Sequence, residues 1–121
     1  MELPILAFEG NDLIVFATAA SAEGFVEPPD ADVRETYDAT GRILRFKHND
    51  RVTSLVETDE FRPDDLRAAL LEVFAVTQVA ANNEAPLDEL VAEASRHFEY
   101  SRRTVADTVR AMLQRLRRPT N

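Results

Sequence analysis

The sequence predicts an α+β domain: a small antiparallel sheet of three to five strands in the N-terminal half, packed with helices from the C-terminal half. Two observations carry this. Up to Phe61, short runs rich in β-branched and aromatic residues alternate with turn formers such as Gly10-Asn11-Asp12 and His48-Asn49-Asp50. After Phe61, apolar residues recur at three- and four-residue spacing, the period of a helix. No internal repeat or low-complexity linker divides the 121 residues, so one domain over 1–121 is expected.

Leu13-Ile14-Val15-Phe16 is the first firm strand, and Leu3 to Phe8 offers a further short one before it. Thr18 to Val26 reads as a short helix, capped near Thr18 or Ser21 and stopped by Pro28-Pro29. Val33 to Tyr37 and Arg42 to Lys47 then flank the turn Asp38-Ala39-Thr40-Gly41. Asp bonds its own downstream backbone and Gly accepts positive φ, which predicts a hairpin. Leu44 and Phe46 share one face of it, with Arg45 and Lys47 on the other. His48-Asn49-Asp50 turns the chain into a further strand, Val52 to Glu57.

Pro63 followed by Asp64 and Asp65 makes a good first helical turn: proline suits that position, and acids suit the positive end of the dipole. Leu66, Leu70, Val73, Phe74 and Thr77 mark its inner face, and Asn82-Asn83 is expected to end it. Pro86 starts a second helix with Leu87, Leu90, Val91, Ala94 and Phe98 on one stripe. Ser101 is the expected N-cap of a last helix lined by Val105, Val109, Met112, Leu113 and Leu116.

Composition narrows the function. The chain has no cysteine, which removes disulfides, thiolate nucleophiles and cysteine-bound zinc, and fits a reducing, cytoplasmic setting. Met1 to Gly10 has no basic n-region and does not read as a signal peptide. No apolar run approaches the ~20 residues of a membrane span. Charge is uneven. Residues 1–94 carry 7 Lys and Arg against 20 Asp and Glu, or −13; residues 95–121 carry 7 Arg against 2 acids, or +5; the total is −8. An acidic body repels nucleic acid and membrane phosphates and attracts basic proteins.

Chemistry is sparse. The two histidines, His48 and His97, have no further ligands at metal-binding spacing. Three glycines form neither a phosphate loop nor a nucleophile elbow. Asp64-Asp65 and Asp88-Glu89 sit at helix starts, where the dipole explains them. No catalytic residue, cofactor or metal is expected, and the chain reads as a binding protein, not an enzyme. One alternative is a helix-turn-helix spanning Leu87 to Leu116, with Arg96, Arg102, Arg103 and Arg110 facing DNA. Against it, nine residues separate the two apolar stripes, no glycine marks the turn, and the acidic body opposes duplex binding.

Residues 9–46 run strand, short helix, Phe25-Val26-Glu27-Pro28, an acidic stretch, then Tyr37-Asp38-Ala39-Thr40-Gly41-Arg42-Ile43-Leu44. This order resembles the N-terminal part of small bacterial immunity proteins encoded beside polymorphic and contact-dependent toxins. It departs from their pattern at Pro29, where an aliphatic residue is usual. The resemblance implies a stoichiometric inhibitor that neutralises a cognate toxin domain by occlusion and charge complementarity. Many such toxins are nucleases with electropositive active sites, which an acidic inhibitor suits. The expected contacts with a basic toxin domain are exposed acids of the strand-rich half: Glu27, Asp30, Asp32, Glu35, Asp38, Glu57, Asp59 and Glu60. Of these, Asp38 doubles as a turn former.

Overall fold

The strand signals become five antiparallel strands. The computed structural model describes residues 1–25, 35–50 and 52–100. In chain order the elements are β1 (Ile5–Glu9), β2 (Asp12–Phe16), α1 (Ala19–Phe25), β3 (Glu35–Tyr37), β4 (Arg42–Asn49), β5 (Val52–Phe61), α2 (Pro63–Thr77) and α3 (Leu87–Phe98). The sheet order is β2-β1-β3-β4-β5. Three hairpins build it, β1–β2, β3–β4 and β4–β5, and β3 lies on the far side of β1 from β2. Residues 26–34, 51 and 101–121 lie outside the described part, and with them the helix expected after Ser101.

Alternation along the strands divides the core between the two faces of the sheet. Leu6, Phe8, Leu13, Val15 and Tyr37 point to one face, where they meet Leu66, Leu70, Val73 and Phe74 of α2 and Leu90, Val91 and Ala94 of α3. Ile5, Ala7, Phe16 and Leu44 point to the other, where Ala22 and Phe25 of α1 and Tyr100 join them. The sheet is thus covered on both faces. The second cover, by α1, is too short to show a helical stripe in sequence. Each large side chain so buried contributes roughly 1.5–3 kcal/mol.

Several boundaries differ from expectation. The α2 helix ends at Thr77, five residues before Asn82. Gln78 takes the left-handed conformation, and the Val79 N–H reaches back to the Phe74 carbonyl at 2.9 Å. Asn82 instead closes a turn of its own, its side chain accepting the Glu84 N–H at 2.9 Å. Thr77 stays exposed while its hydroxyl bonds the Val73 carbonyl. The β5 strand runs on to Phe61 through an irregularity: Leu44 pairs with Glu57 but Arg42 with Phe61, so β5 spends two extra residues there. Thr18 caps α1 as expected, its hydroxyl accepting the Ser21 N–H at 3.2 Å.

After α3 the chain becomes extended and passes the outer edge of β2. Glu99 forms a parallel bridge with Val15, and the Tyr100 N–H bonds the Val15 carbonyl at 2.7 Å. Phe98 packs on the face covered by α2 and α3, and Tyr100 on the opposite one, against Phe16 and Phe25.

Candidate functional site

The segment Tyr37–Arg42, one part of the stretch 9–46 that carries the resemblance, is a structural knot. One Asp38 oxygen accepts hydrogen bonds from the Thr40 hydroxyl (2.6 Å) and from the N–H groups of Thr40 (2.9 Å) and Arg42 (3.0 Å). The other accepts the Glu2 N–H at 3.2 Å, and Ala39 N–H returns a bond to the Glu2 carbonyl. Asp38 is only 1% exposed. Burial pushes its pKa up, but the Thr40, Glu2 and Arg42 donors outweigh that and hold the carboxyl below its ordinary value. Arg42 bonds the Thr58 carbonyl at 2.8 Å and lies over the Phe61 ring at 4.2 Å. The expectation that Asp38 is an exposed contact residue is therefore corrected: its oxygens are committed to three backbone N–H groups and the Thr40 hydroxyl, and it holds the N-terminal segment against the β3–β4 turn.

The remaining described acids of that set divide between two faces. Glu57 shares the α1 face with Leu44 and pairs with the N-terminal ammonium of Met1, whose pKa the Glu57 carboxylate raises. Asp59 is exposed in the irregular stretch of β5. Glu27, Asp30 and Asp32 lie outside the described residues. Glu35 and Glu60, far apart in sequence, come together along one groove of about 680 Å³.

That groove runs between the sheet and α2. From β3 and β4 it receives Glu35, Tyr37, Ile43 and Arg45; from the end of β5 and the turn after it, Glu60 and Arg62. From α2 it receives Asp65, Ala68, Ala69 and Glu72, at i, i+3, i+4 and i+7, which is one helical face. Alanine at the two middle positions is what leaves room between helix and sheet. A shallower continuation bears Glu35 and Glu72 again and reaches the β1–β2 turn at Gly10-Asn11.

Four carboxylates and two guanidinium groups thus face the groove. Arg62 is held between Glu60 (3.3 Å) and Asp65 (3.6 Å). Tyr37 senses the surplus of negative charge: burial first, then the carboxylates of Glu35 and Asp65, raise its phenol above the ordinary tyrosine value, with Arg62 opposing. Sequence reading missed Asp65 and Glu72 as members of this surface, because Asp65 was explained by the helix dipole and Glu72 sits mid-helix without a motif. Their i, i+7 spacing, on a face free of large apolar residues, was the available signal.

Elsewhere the described residues offer little chemistry. No cluster of His, Asp and Glu among them is arranged to hold a metal ion. His48 bonds Thr53, and His97 shares the Glu93 carboxylate with Arg96. No helix among them is long and apolar enough to cross a membrane. Of the alternative DNA-facing arginines, Arg96 is paired with Glu93, and Arg102, Arg103 and Arg110 lie outside the described residues. No family model, curated protein or solved structure matches the chain.

Proposed function

We propose that this chain is a toxin-neutralising immunity protein that binds a basic toxin domain, with the groove between the sheet and α2 as the contact surface. The observation that carries the proposal is the convergence of Glu35, Glu60, Asp65 and Glu72 on one open groove, in a chain of net charge −8. Such a surface steers a positively charged partner and opposes nucleic acid. The resemblance of residues 9–46 supports the same reading, and the buried knot explains how the resembling motif can serve the fold while neighbouring acids serve the contact. No covalent step or cofactor is involved; inhibition is by occlusion.

The test is co-expression with the variable C-terminal domain of a secreted protein encoded immediately upstream. The expected result is protected growth and a one-to-one complex. A toxic domain that kills the cell equally with and without this chain contradicts the proposal.

A further inference from the structure

On the face bearing α2 and α3, the described helices pack over β1, β2 and β3 and do not reach β5. Among the described residues the core on that face takes side chains from β1, β2 and β3, with Ile43 of β4 packed against it and no residue of β5. The same face of the β4–β5 hairpin also carries Arg45 opposite Val56. Val56 is half-buried and Arg45 is exposed. Sheets bury a face by carrying helices side by side, about 8–10 Å apart. Over β4 and β5 the next place in that layer is the groove.

We infer that the groove beside α2 is the seat of an amphipathic helix of the partner, with an apolar stripe and basic flanks. This rests on the function proposed above and specifies the element of the partner that is recognised. Three features define the occupant. Ile43 and the two alanines of α2, Ala68 and Ala69, form a narrow floor of small and aliphatic groups between polar rims, which permits close helix approach. Arg62 occupies Glu60 and Asp65 at one end, while Glu35 and Glu72 stand together toward the other, and the four carboxylates outnumber the guanidinium groups of Arg45 and Arg62, so an apolar stripe flanked by Lys or Arg finds complementary charge at the Glu35–Glu72 end. The described walls are one face of α2 on one side and the sheet on the other, the arrangement that receives a helix laid beside a helix.

The test uses the full chain, labelled with ¹⁵N, and two synthetic peptides of identical Leu, Ala and Arg composition. One places leucines on a helical stripe with arginines beside it; the other scrambles the order so that no stripe exists. The expected result is amide shifts concentrated on Ile43, Arg45, Ala68 and Ala69, with the striped peptide binding about tenfold more tightly, a difference of about 1.4 kcal/mol. Ala68→Trp, at an exposed position, fills the groove and abolishes the shifts. Should that variant not fold, Glu72→Lys at another exposed position weakens binding of the striped peptide more than that of the scrambled one. Equal binding of both peptides in the groove overturns the helix seat and leaves the acidic contact surface standing. Shifts located elsewhere overturn the seat. If charge reversal in the groove also leaves the cognate toxin complex untouched, the proposed function falls with it.

Discussion

Gly41 lies so close to Pro63 that a Cβ placed on it stands 2.6 Å from the proline Cα, and its φ of +93° belongs to glycine. This contact sets the start of α2 against the β3–β4 turn, where the Arg62 N–H also bonds the Gly41 carbonyl at 2.7 Å. One wall of the groove is thereby positioned against the other.

Gly41→Ala is expected to destabilise the chain by about 3 kcal/mol, since a backbone atom cannot yield as a side-chain end does. Gly10→Ala is the control: its φ is +59° but nothing lies within 4 Å of the added methyl, so about 1–2 kcal/mol is expected. Chemical denaturation of both variants checks the difference. Equal losses would show that φ alone, and not the Pro63 contact, fixes Gly41.

Asp38→Asn replaces one acceptor oxygen with a donor and sets it against a backbone N–H, for a loss of about 1–3 kcal/mol. The folded carboxyl has a lowered pKa, so its stabilisation is present above the unfolded value near 3.9 and is lost as pH falls through the folded value. Unfolding measured from pH 6 down to pH 2 should therefore show a steeper acid loss in the parent than in Asp38→Asn. Parallel curves would mean that the buried carboxyl titrates normally.

Phe74→Ala removes a 1% exposed ring that packs between the sheet and Phe98, and is expected to cost about 3–5 kcal/mol. Val76→Ala, one turn face away and 57% exposed, should stay within about 0.5 kcal/mol. Thermal or denaturant melts separate the two. A small loss at Phe74 would remove it from the centre of the helical core.

Much of the fold was legible because the relevant signals are local. The β4 alternation of Leu44 and Phe46 against Arg45 and Lys47, and the α2 stripe through Leu66, Leu70, Val73 and Phe74, need only neighbouring residues to be read. The α2 terminus was misplaced because Gln78, without glycine's signature, adopts the left-handed conformation. The groove was half legible. Glu35 and Glu60 stood out as acids of the strand-rich half, whereas their meeting with Asp65 and Glu72 depends on how α2 lies across the sheet, which no local pattern encodes. Asp38 shows the opposite error. A turn-forming acid looks exposed in sequence, yet three donors of its own turn and the distant Glu2 N–H enclose it.

Glu35, Glu60 and Glu72 are all exposed, so their replacement should leave folding intact: each single change to Ala is expected within about 0.5 kcal/mol. Melting curves for the three singles check this. A large loss at any of them would mark that carboxylate as part of the fold and not of the contact surface.

In the proposed complex these groove acids, and not net charge alone, receive the partner. The most direct measurement is association kinetics with the cognate toxin domain for two triple variants, each losing three negative charges. One carries Glu35→Ala, Glu60→Ala and Glu72→Ala; the other carries Glu84→Ala, Asp88→Ala and Glu89→Ala, exposed acids around the start of α3. The groove variant is expected to lose at least about tenfold in association rate at low salt and to show a flatter salt dependence, while the α3 variant stays close to the parent. Equal slowing of both variants, or a groove variant indistinguishable from the parent, would contradict it.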